Sequence, residues 1–152
     1  MKISIASDHG GFDLKEVIKN YLVENDVEVI DCGCFNKERV DYPVFAVKAS
    51  KLVQNGECDY GVLVCTTGIG MSIVGNKFKG VRAALVTNLE SAALTRQHNN
   101  SNIICLGAKF TKDEEAIEYV KTFIKEEFTY GRHLDRVNMI KEVEEDEQIS
   151  SI

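Results

Sequence analysis

Short, strongly apolar runs alternate along the chain with longer segments in which apolar residues recur at helical spacing. The short runs are rich in β-branched residues and bounded by polar or glycine-containing stretches, which is typical of strands. The pattern predicts five strands, at Lys2–Ala6, Val27–Asp31, Tyr60–Cys65, Val81–Val86 and Asn102–Leu106.

Helices are predicted between these strands, because apolar side chains there recur every three or four positions. After the first strand, Leu14, Ile18 and Leu22 share one helical face. Pro43 is expected to begin a second helix, since its fixed φ and missing N–H suit a first turn. The other helices are predicted to follow Gly70, to cover Leu89–Gln97 and to include Ala116–Ile124.

The alternation of strands and helices predicts the fold class. It favours a parallel sheet with right-handed crossovers, which makes the chain a single Rossmann-like α/β/α sandwich. Tyr60–Cys65 is almost continuously apolar and is predicted to be the central strand, covered on both faces. No linker or repeat divides residues 1–152, and the acidic stretch at about 142–152 is expected to be a solvated, partly frayed tail.

Composition and charge exclude several classes of partner. A formal net charge of -6 opposes non-specific binding to nucleic acid, which depends on a basic surface. No apolar stretch approaches the roughly 18 residues that cross a bilayer, so no membrane role is expected. The five cysteines, without a secretion signal after Met1, favour reduced thiols and a cytoplasmic location.

Parallel α/β sheets bind ligands beyond the carboxyl ends of their strands, which directs attention to three segments. These are Ser7–Gly11, the loop Cys65-Thr66-Thr67-Gly68-Ile69-Gly70, and Gly107–Lys109. Glycines and free N–H groups make the second segment a candidate anion site, although a plain tight turn is the alternative. Ile73 stands where a dinucleotide fingerprint requires its third glycine, so that function is not indicated.

Cys65 is a candidate base, because a thiol between a strand and a helix start has its thiolate favoured there. The alternative is a small buried apolar residue, which is the interpretation of Cys105. Cys32 and Cys34 form a Cys-x-Cys pair without a second pair of ligands. A turn after a strand is therefore favoured over a metal site, and no metal is expected.

Five other residues could contribute to a site, each with a structural alternative. Asp8 and His9 follow the first strand, where an N-cap and a surface histidine would also fit. His98 follows a predicted helix and could simply interact with its carboxyl end. Arg132 and Arg136 are four residues apart, so on a helix they would repel each other unless a phosphate, or Asp135 and the acidic tail, relieved the repulsion.

These segments, taken in order, resemble the B-type ribose-5-phosphate isomerases over nearly the whole chain, from Met1 to Arg136. Each motif is weak alone, but their joint order within one small α/β domain is specific. The matching motifs are Ser7-Asp8-His9-Gly10-Gly11, Cys65 to Ile73, Asn76-Lys77, Val81 to Leu85, His98-Asn99, and Gly131-Arg132-His133 with Arg136.

The resemblance implies an enzyme without metal or other cofactor that interconverts D-ribose 5-phosphate and D-ribulose 5-phosphate through an enediolate. Cys65 would move the proton between C2 and C1. Thr67 and the amides of residues 66–70 would hold the enediolate oxygen. His98, assisted by Asp8, would open the furanose ring.

The resemblance also implies how the substrate is held. His9, Arg132 and Arg136 would bind the phosphate, while Asn99 and Lys109 would line the site. The enzyme would be a homodimer, or a dimer of dimers, whose sites are shared because His98, Asn99 and Lys109 come from the partner.

The chain departs from the family at two of these positions, and other functions compete. Thr66 stands where the family usually has glycine, and Lys109 where arginine is common. Galactose-6-phosphate or allose-6-phosphate isomerase is the nearest alternative, but galactose-type subunits generally lack the histidine at position 98. A non-catalytic sugar-phosphate-binding protein would leave Cys65 and His98 without a joint task.

Overall fold

A computed structural model describes residues 1–146 of the chain. The strands are β1 (Lys2–Ser7), β2 (Glu28–Asp31), β3 (Tyr60–Cys65), β4 (Ala83–Leu85) and β5 (Ile103–Gly107). The helices are α1 (Phe12–Glu24), α2 (Tyr42–Gln54), α3 (Ile69–Gly75), α4 (Leu89–Asn99), α5 (Asp113–Lys125) and α6 (Arg132–Glu144). None of the described helices is long and apolar enough to cross a membrane.

The five strands form one parallel sheet in the order β2-β1-β3-β5-β4. The central position predicted for Tyr60–Cys65 is confirmed, since β3 lies between β1 and β5. In register, Ser7 lies beside Val64, and Cys65 lies beside Gly107. The loops that follow β1, β3 and β5 therefore leave the same edge of the sheet.

Helices cover both faces of the sheet and bury two apolar layers, which confirms the predicted α/β/α sandwich. On one face, Leu14 and Ile18 of α1 pack with Phe123 of α5. On the other face, Ala49 of α2 and Met71 of α3 pack against the sheet. All five side chains have at most 4% of their surface exposed, so both layers exclude water as a core must.

Several predicted element boundaries differ from the structure by one or two residues, and two of these differences have a physical reason. β4 is shorter than Val81–Val86, and the Asn76 side chain bonds both the N–H and the carbonyl of Ala83 at this edge strand. The side chain takes the place of a further strand, which is one way to protect a sheet edge. The second helix begins at Tyr42, one residue before Pro43, which lies within its first turn.

The described part of the acidic stretch, residues 142–146, also differs from the expected frayed tail. α6 continues to Glu144, whose carboxylate accepts from the N–H of Gly80 at 3.1 Å. Glu145 accepts from Lys79 at 3.1 Å. The first part of the acidic stretch is thus helical and anchored near β4, and residues 147–152 of the predicted tail lie outside the described residues.

The strand order creates a crevice between β1 and β3. The chain leaves β1 toward β2 on one side and later returns to place β3 on the other side. The segment after β1 leads to α1 on one face of the sheet, and the segment after β3 leads to α3 on the other face. Open α/β sheets bind ligands at such a switch point. Asp8 and Cys65, both singled out from the sequence, follow or end these two strands.

Candidate active site

Cys65 ends β3 at the base of the crevice, with 5% of its surface exposed. The backbone N–H of Gly68 donates a hydrogen bond to the Cys65 sulfur at 3.1 Å. Gly68 has φ +76°, and a Cβ there would approach the backbone of Leu106 to 2.8 Å, so the turn requires glycine. The donated N–H stabilises a negatively charged sulfur more than a neutral one.

Cys105 shows what an ordinary buried thiol looks like in this fold. It lies on β5 in the same apolar layer as Cys65 and has no exposed surface. Burial raises the pKa of Cys105, and the neighbouring Cys65 raises it further. The thiol of Cys105 therefore stays protonated, in agreement with its interpretation as an apolar residue, whereas Cys65 lies at the crevice and accepts a hydrogen bond.

Asp8 and His9 occupy the opposite wall of the crevice. Asp8 is buried and caps the short 3-10 turn His9–Gly11, accepting from the N–H of Gly11 at 2.9 Å. The capping interpretation is therefore correct, and it fixes the carboxylate at the crevice. His9 Nδ1 lies 3.2 Å from the carbonyl oxygen of Val40 and 3.3 Å from its nitrogen. This contact leaves Nε2 as the nitrogen that can meet a ligand.

The loops that follow β3 and β5 are joined by backbone hydrogen bonds. The N–H of Ala108 donates to the carbonyl of Cys65, and that of Lys109 donates to the carbonyl of Thr66, both at 2.9 Å. The Lys109 side chain is exposed. The main chain of Lys109 thus belongs to the Cys65 loop of its own subunit, and its predicted role in a partner's site stays a prediction.

Tyr42 is a member of this edge that the sequence analysis did not identify. A Cβ built on Gly70 would lie 2.5 Å from the Tyr42 ring, so the ring packs directly on the end of the Cys65 loop. Tyr42 starts α2, and nothing in its local sequence signals this contact. The glycine at position 70 did signal that something approaches the loop closely.

His98 and Asn99 lie in the last turn of α4, away from the crevice. Arg82, just before β4, donates from Nε to the Asn99 carbonyl at 3.0 Å and from Nη2 to the Asn100 carbonyl at 2.8 Å. The buried Arg96 donates to the Asn100 side chain at 3.0 Å. These two arginines anchor the helix end that presents His98, a function that the sequence analysis did not attribute to them.

Arg132 and Arg136 share α6, as their spacing predicted, and they lie near His98. The link is His133, whose ring stacks on that of His98 with centroids 4.2 Å apart and planes 9° apart. Burial, followed by the nearby His98, Arg132 and Arg136, lowers the pKa of His133 and favours its neutral form. His133 was part of a matched motif, but the sequence alone did not indicate this stacking.

The site residues therefore form two groups at opposite ends of the sheet. Cys65 pairs with Gly107, where β5 ends, while His98 precedes Ile103, where β5 begins. At ~3.3 Å per residue, the length of β5 alone separates the two groups by roughly 13 Å. Asp8, His9 and residues 65–70 lie together, and Arg132 and Arg136 lie with His98 and Asn99.

The cysteine pair considered for a metal site forms a turn after β2. Cys34 donates from its sulfur to the Asn36 carbonyl at 3.3 Å. Burial raises the pKa of Cys32 to about 11, which disfavours the thiolate that binds metals. Within residues 1–146, no three acidic, histidine or cysteine side chains are grouped so as to hold a metal ion.

Known proteins match this chain over nearly its whole length. The model of the ribose/galactose isomerase family matches residues 3–140. Ribose-5-phosphate isomerase B of Escherichia coli is 42% identical over 144 residues, covering 95% of this chain and 97% of that protein.

Solved structures agree with the sequence matches. Clostridium thermocellum ribose-5-phosphate isomerase B has a TM-score of 0.95 and 46% identity, covering 96% of this chain and 99% of its own. The Mycoplasma genitalium enzyme, solved with bound ribulose-5-phosphate, has a TM-score of 0.91 and 41% identity, covering 95% and 97%. The chain belongs to the ribose/galactose isomerase family.

Proposed function

We propose that this protein is an aldose–ketose isomerase that interconverts D-ribose 5-phosphate and D-ribulose 5-phosphate. The observation that carries the proposal is the hydrogen bond from Gly68 N–H to the Cys65 sulfur, at the switch-point crevice that also contains Asp8. The pentose substrate is supported by the Escherichia coli relative, which is named for this sugar, and by the Mycoplasma genitalium structure with bound ribulose-5-phosphate.

In the chemical step, the Cys65 thiolate removes the proton from C2 of the open-chain aldose. The electrons of the broken C–H bond form the C1–C2 double bond, and those of the carbonyl π bond pass to the C1 oxygen. The resulting enediolate is stabilised by Thr67 and by loop amides, since donors aimed at a developing oxyanion contribute a few kcal/mol each. The proton of the C2 hydroxyl passes to the C1 oxygen, and the electrons on the C2 oxygen form the new carbonyl. The electrons of the C1–C2 double bond then take the proton back from the Cys65 thiol at C1, which gives the ketose and restores the thiolate.

Ring opening precedes this step and requires a proton donor and acceptor at the furanose oxygens. We assign it to His98 with Asp8, although His98 lies at the far end of the sheet from Cys65 within one chain. Their separation supports a homodimer, or a dimer of dimers, in which His98 and Asn99 of one copy serve the Cys65 of another. Apolar side chains near the Cys65 loop also support association, since Ile69 and Ile73 are 49% and 55% exposed.

Phosphate binding is assigned to His9 on the Cys65 side and to Arg132 and Arg136 on the His98 side. In the dimer, both sides would face one substrate, with Lys109 adding charge at the rim. The two exposed guanidiniums on one face of α6 form a local cationic surface in a protein of net charge -6. Binding energy from the phosphate would hold the open-chain sugar in register for proton transfer.

We place the protein in the cytoplasm as part of the same proposal. All five cysteines are free thiols, which supports a reducing compartment.

An assay of the purified protein tests the proposed reaction. We expect ribose 5-phosphate to be converted to ribulose 5-phosphate, and galactose 6-phosphate to be converted far more slowly. Calorimetric binding of the sugar phosphate without turnover would instead support the non-catalytic alternative. Preference for galactose 6-phosphate would contradict the pentose assignment.

A further inference from the structure

Thr66 stands where the two walls of the crevice approach each other. Its side-chain oxygen lies against Gly10, so closely that a Cβ on Gly10 would collide with it. The same Cβ position is 3.4 Å from Oδ1 of Asp8 and 3.5 Å from Cβ of Thr66. The Thr66 side chain therefore crosses from the Cys65 loop to the segment containing Asp8 and His9.

This contact is not needed to bury apolar surface. Thr66 is exposed, and within residues 1–146 its hydroxyl has no hydrogen-bond partner. Its main chain is already held by the bond from Lys109 N–H to its carbonyl at 2.9 Å. An exposed hydroxyl without a partner, where the Cys65 loop meets the segment containing Asp8, is available to a ligand.

The position of Thr66 suggests contact with the middle of a bound substrate. On one side, Cys65 would act at C1 and C2. On the other side, His9 would hold the phosphate at the end of the sugar. Thr66 follows Cys65 in the chain, and its side chain lies against Gly10, the neighbour of His9, so a sugar phosphate that spans Cys65 and His9 would pass beside it.

We infer that Thr66 is a specificity-determining residue that limits the sugar phosphate to five carbons. This inference rests on the proposed isomerase function. The side chain fills part of the space between Cys65 and His9, and its hydroxyl bonds a middle hydroxyl group of the pentose. A six-carbon aldose phosphate has one more CHOH group between the reacting carbons and the phosphate. This additional group clashes with the Thr66 side chain.

The expected discrimination follows from pocket size. One additional carbon in a fitted pocket changes kcat/KM by roughly 10- to 200-fold. Removing the Thr66 side chain should therefore reduce the discrimination against the six-carbon sugar phosphate by a comparable factor. D-allose 6-phosphate is the suitable probe, because it extends ribose 5-phosphate by one carbon and keeps the configuration of its hydroxyl groups.

The test compares kcat/KM for ribose 5-phosphate and allose 6-phosphate in wild type, Thr66→Gly, Thr66→Ser and Thr66→Val. We expect Thr66→Gly to lower the pentose-to-hexose ratio by about tenfold or more. Thr66→Val keeps the volume, so its ratio should stay within about threefold of wild type while KM for the pentose rises. Thr66→Ser should lie between wild type and Thr66→Gly. Thermal unfolding of each variant verifies that it is folded.

A second pair of variants tests the contact itself. Gly10→Ala introduces the methyl group that collides with Thr66, and we expect it to lower kcat/KM for ribose 5-phosphate. In the Thr66→Gly background the collision is absent, so adding Gly10→Ala should have a much smaller effect.

The outcomes separate the inference from the function on which it rests. If wild type isomerises neither sugar, the proposed function fails, and the inference fails with it. A second outcome is that wild type isomerises ribose 5-phosphate while folded Thr66→Gly and Thr66→Ser keep the wild-type pentose-to-hexose ratio of kcat/KM. In that case only the inference about Thr66 is overturned.

Discussion

At the scale of single residues, the placement of a thiol decides its chemistry. Cys65 and Cys105 lie in the same apolar layer on neighbouring strands. Cys65 ends its strand, and its sulfur accepts a hydrogen bond from the Gly68 N–H. Cys105 is fully buried, and burial raises its pKa. A general base must reach the proton that it removes, so only Cys65, at the crevice, is placed as the proposed function requires.

Cys65→Ala should lower kcat for ribose 5-phosphate by a factor of about 10² or more, because a positioned base contributes that much to proton transfer. The dissociation constant of the substrate should stay within about tenfold, since the base acts chiefly in the transition state. Cys58→Ala is the matched control, as this buried cysteine lies just before β3 at the other end of the sheet. Turnover close to that of wild type in Cys65→Ala would remove Cys65 from the mechanism.

Arg136→Ala should weaken binding of ribose 5-phosphate by roughly ten- to a hundredfold, because a hydrogen bond to a charged group contributes about 1.5–3 kcal/mol. Affinity for unphosphorylated ribose should not change. Calorimetric titration of both ligands measures the difference, with Lys141→Ala as a control for loss of positive charge elsewhere on α6. Equal affinity of mutant and wild type for the phosphorylated sugar would leave Arg136 without a phosphate-binding role.

At the scale of elements, α1 and β2 are joined by a buried ion pair close to the crevice. Lys15 has no exposed surface and donates to Asp31 at 2.7 Å, while Lys19 donates to the same carboxylate at 2.8 Å. Asp31 also accepts from the N–H of Gly33 at 2.9 Å. Burial alone would raise the pKa of Asp31, but the bonds from Lys15 and Lys19 prevail and lower it.

Asp31→Asn should destabilise the protein by about 3 kcal/mol at neutral pH, because it removes the main partner of a buried ammonium group. Glu28→Gln is the matched control on the same strand, since the exposed Lys2–Glu28 pair contributes about 0–1 kcal/mol. Urea unfolding of both variants measures the two free energies. A loss no larger in Asp31→Asn than in Glu28→Gln would contradict the prediction.

The same pair predicts a pH dependence. The folded-state pKa of Asp31 is below its unfolded value, so its contribution is complete above the unfolded pKa and is lost as pH falls through the folded pKa. The stability difference between wild type and Asp31→Asn should therefore shrink as the solution is acidified.

At the scale of the whole molecule, the proposed function predicts that two copies of the chain form one site, because the two groups of site residues lie at opposite ends of the sheet. Mixing inactive Cys65→Ala and His98→Ala subunits tests this directly. A mixed dimer would contain one site with both intact residues, so denaturing and refolding the mixture should restore up to about one quarter of wild-type activity. Each variant refolded alone should remain inactive. If the mixture also stays inactive while mixed dimers form, Cys65 and His98 do not act in a shared site.

Much of the fold could be predicted from the sequence, because the relevant interactions are local or repetitive. The bounds of Tyr60–Cys65 agree with the structure, since a continuous apolar run has few alternatives to a buried central strand. β4 was predicted too long, because a bond between Asn76 and Ala83 at the sheet edge is invisible in the periodicity. The segment from Glu142 was predicted as a tail, although its carboxylates find partners near β4.

The sequence by itself determined the α/β/α class, the crevice loops and the residue types that could act there. Hydrophobic periodicity and strand ends are local features, so neighbouring residues are enough to indicate them. Only the tertiary structure decided which of these residues meet. It brought Thr66 against Gly10 and His133 onto His98, and it separated His98 from Cys65 by the length of the sheet. The physical reason is that such contacts depend on strand order and helix packing, which join residues distant in sequence and leave no local pattern.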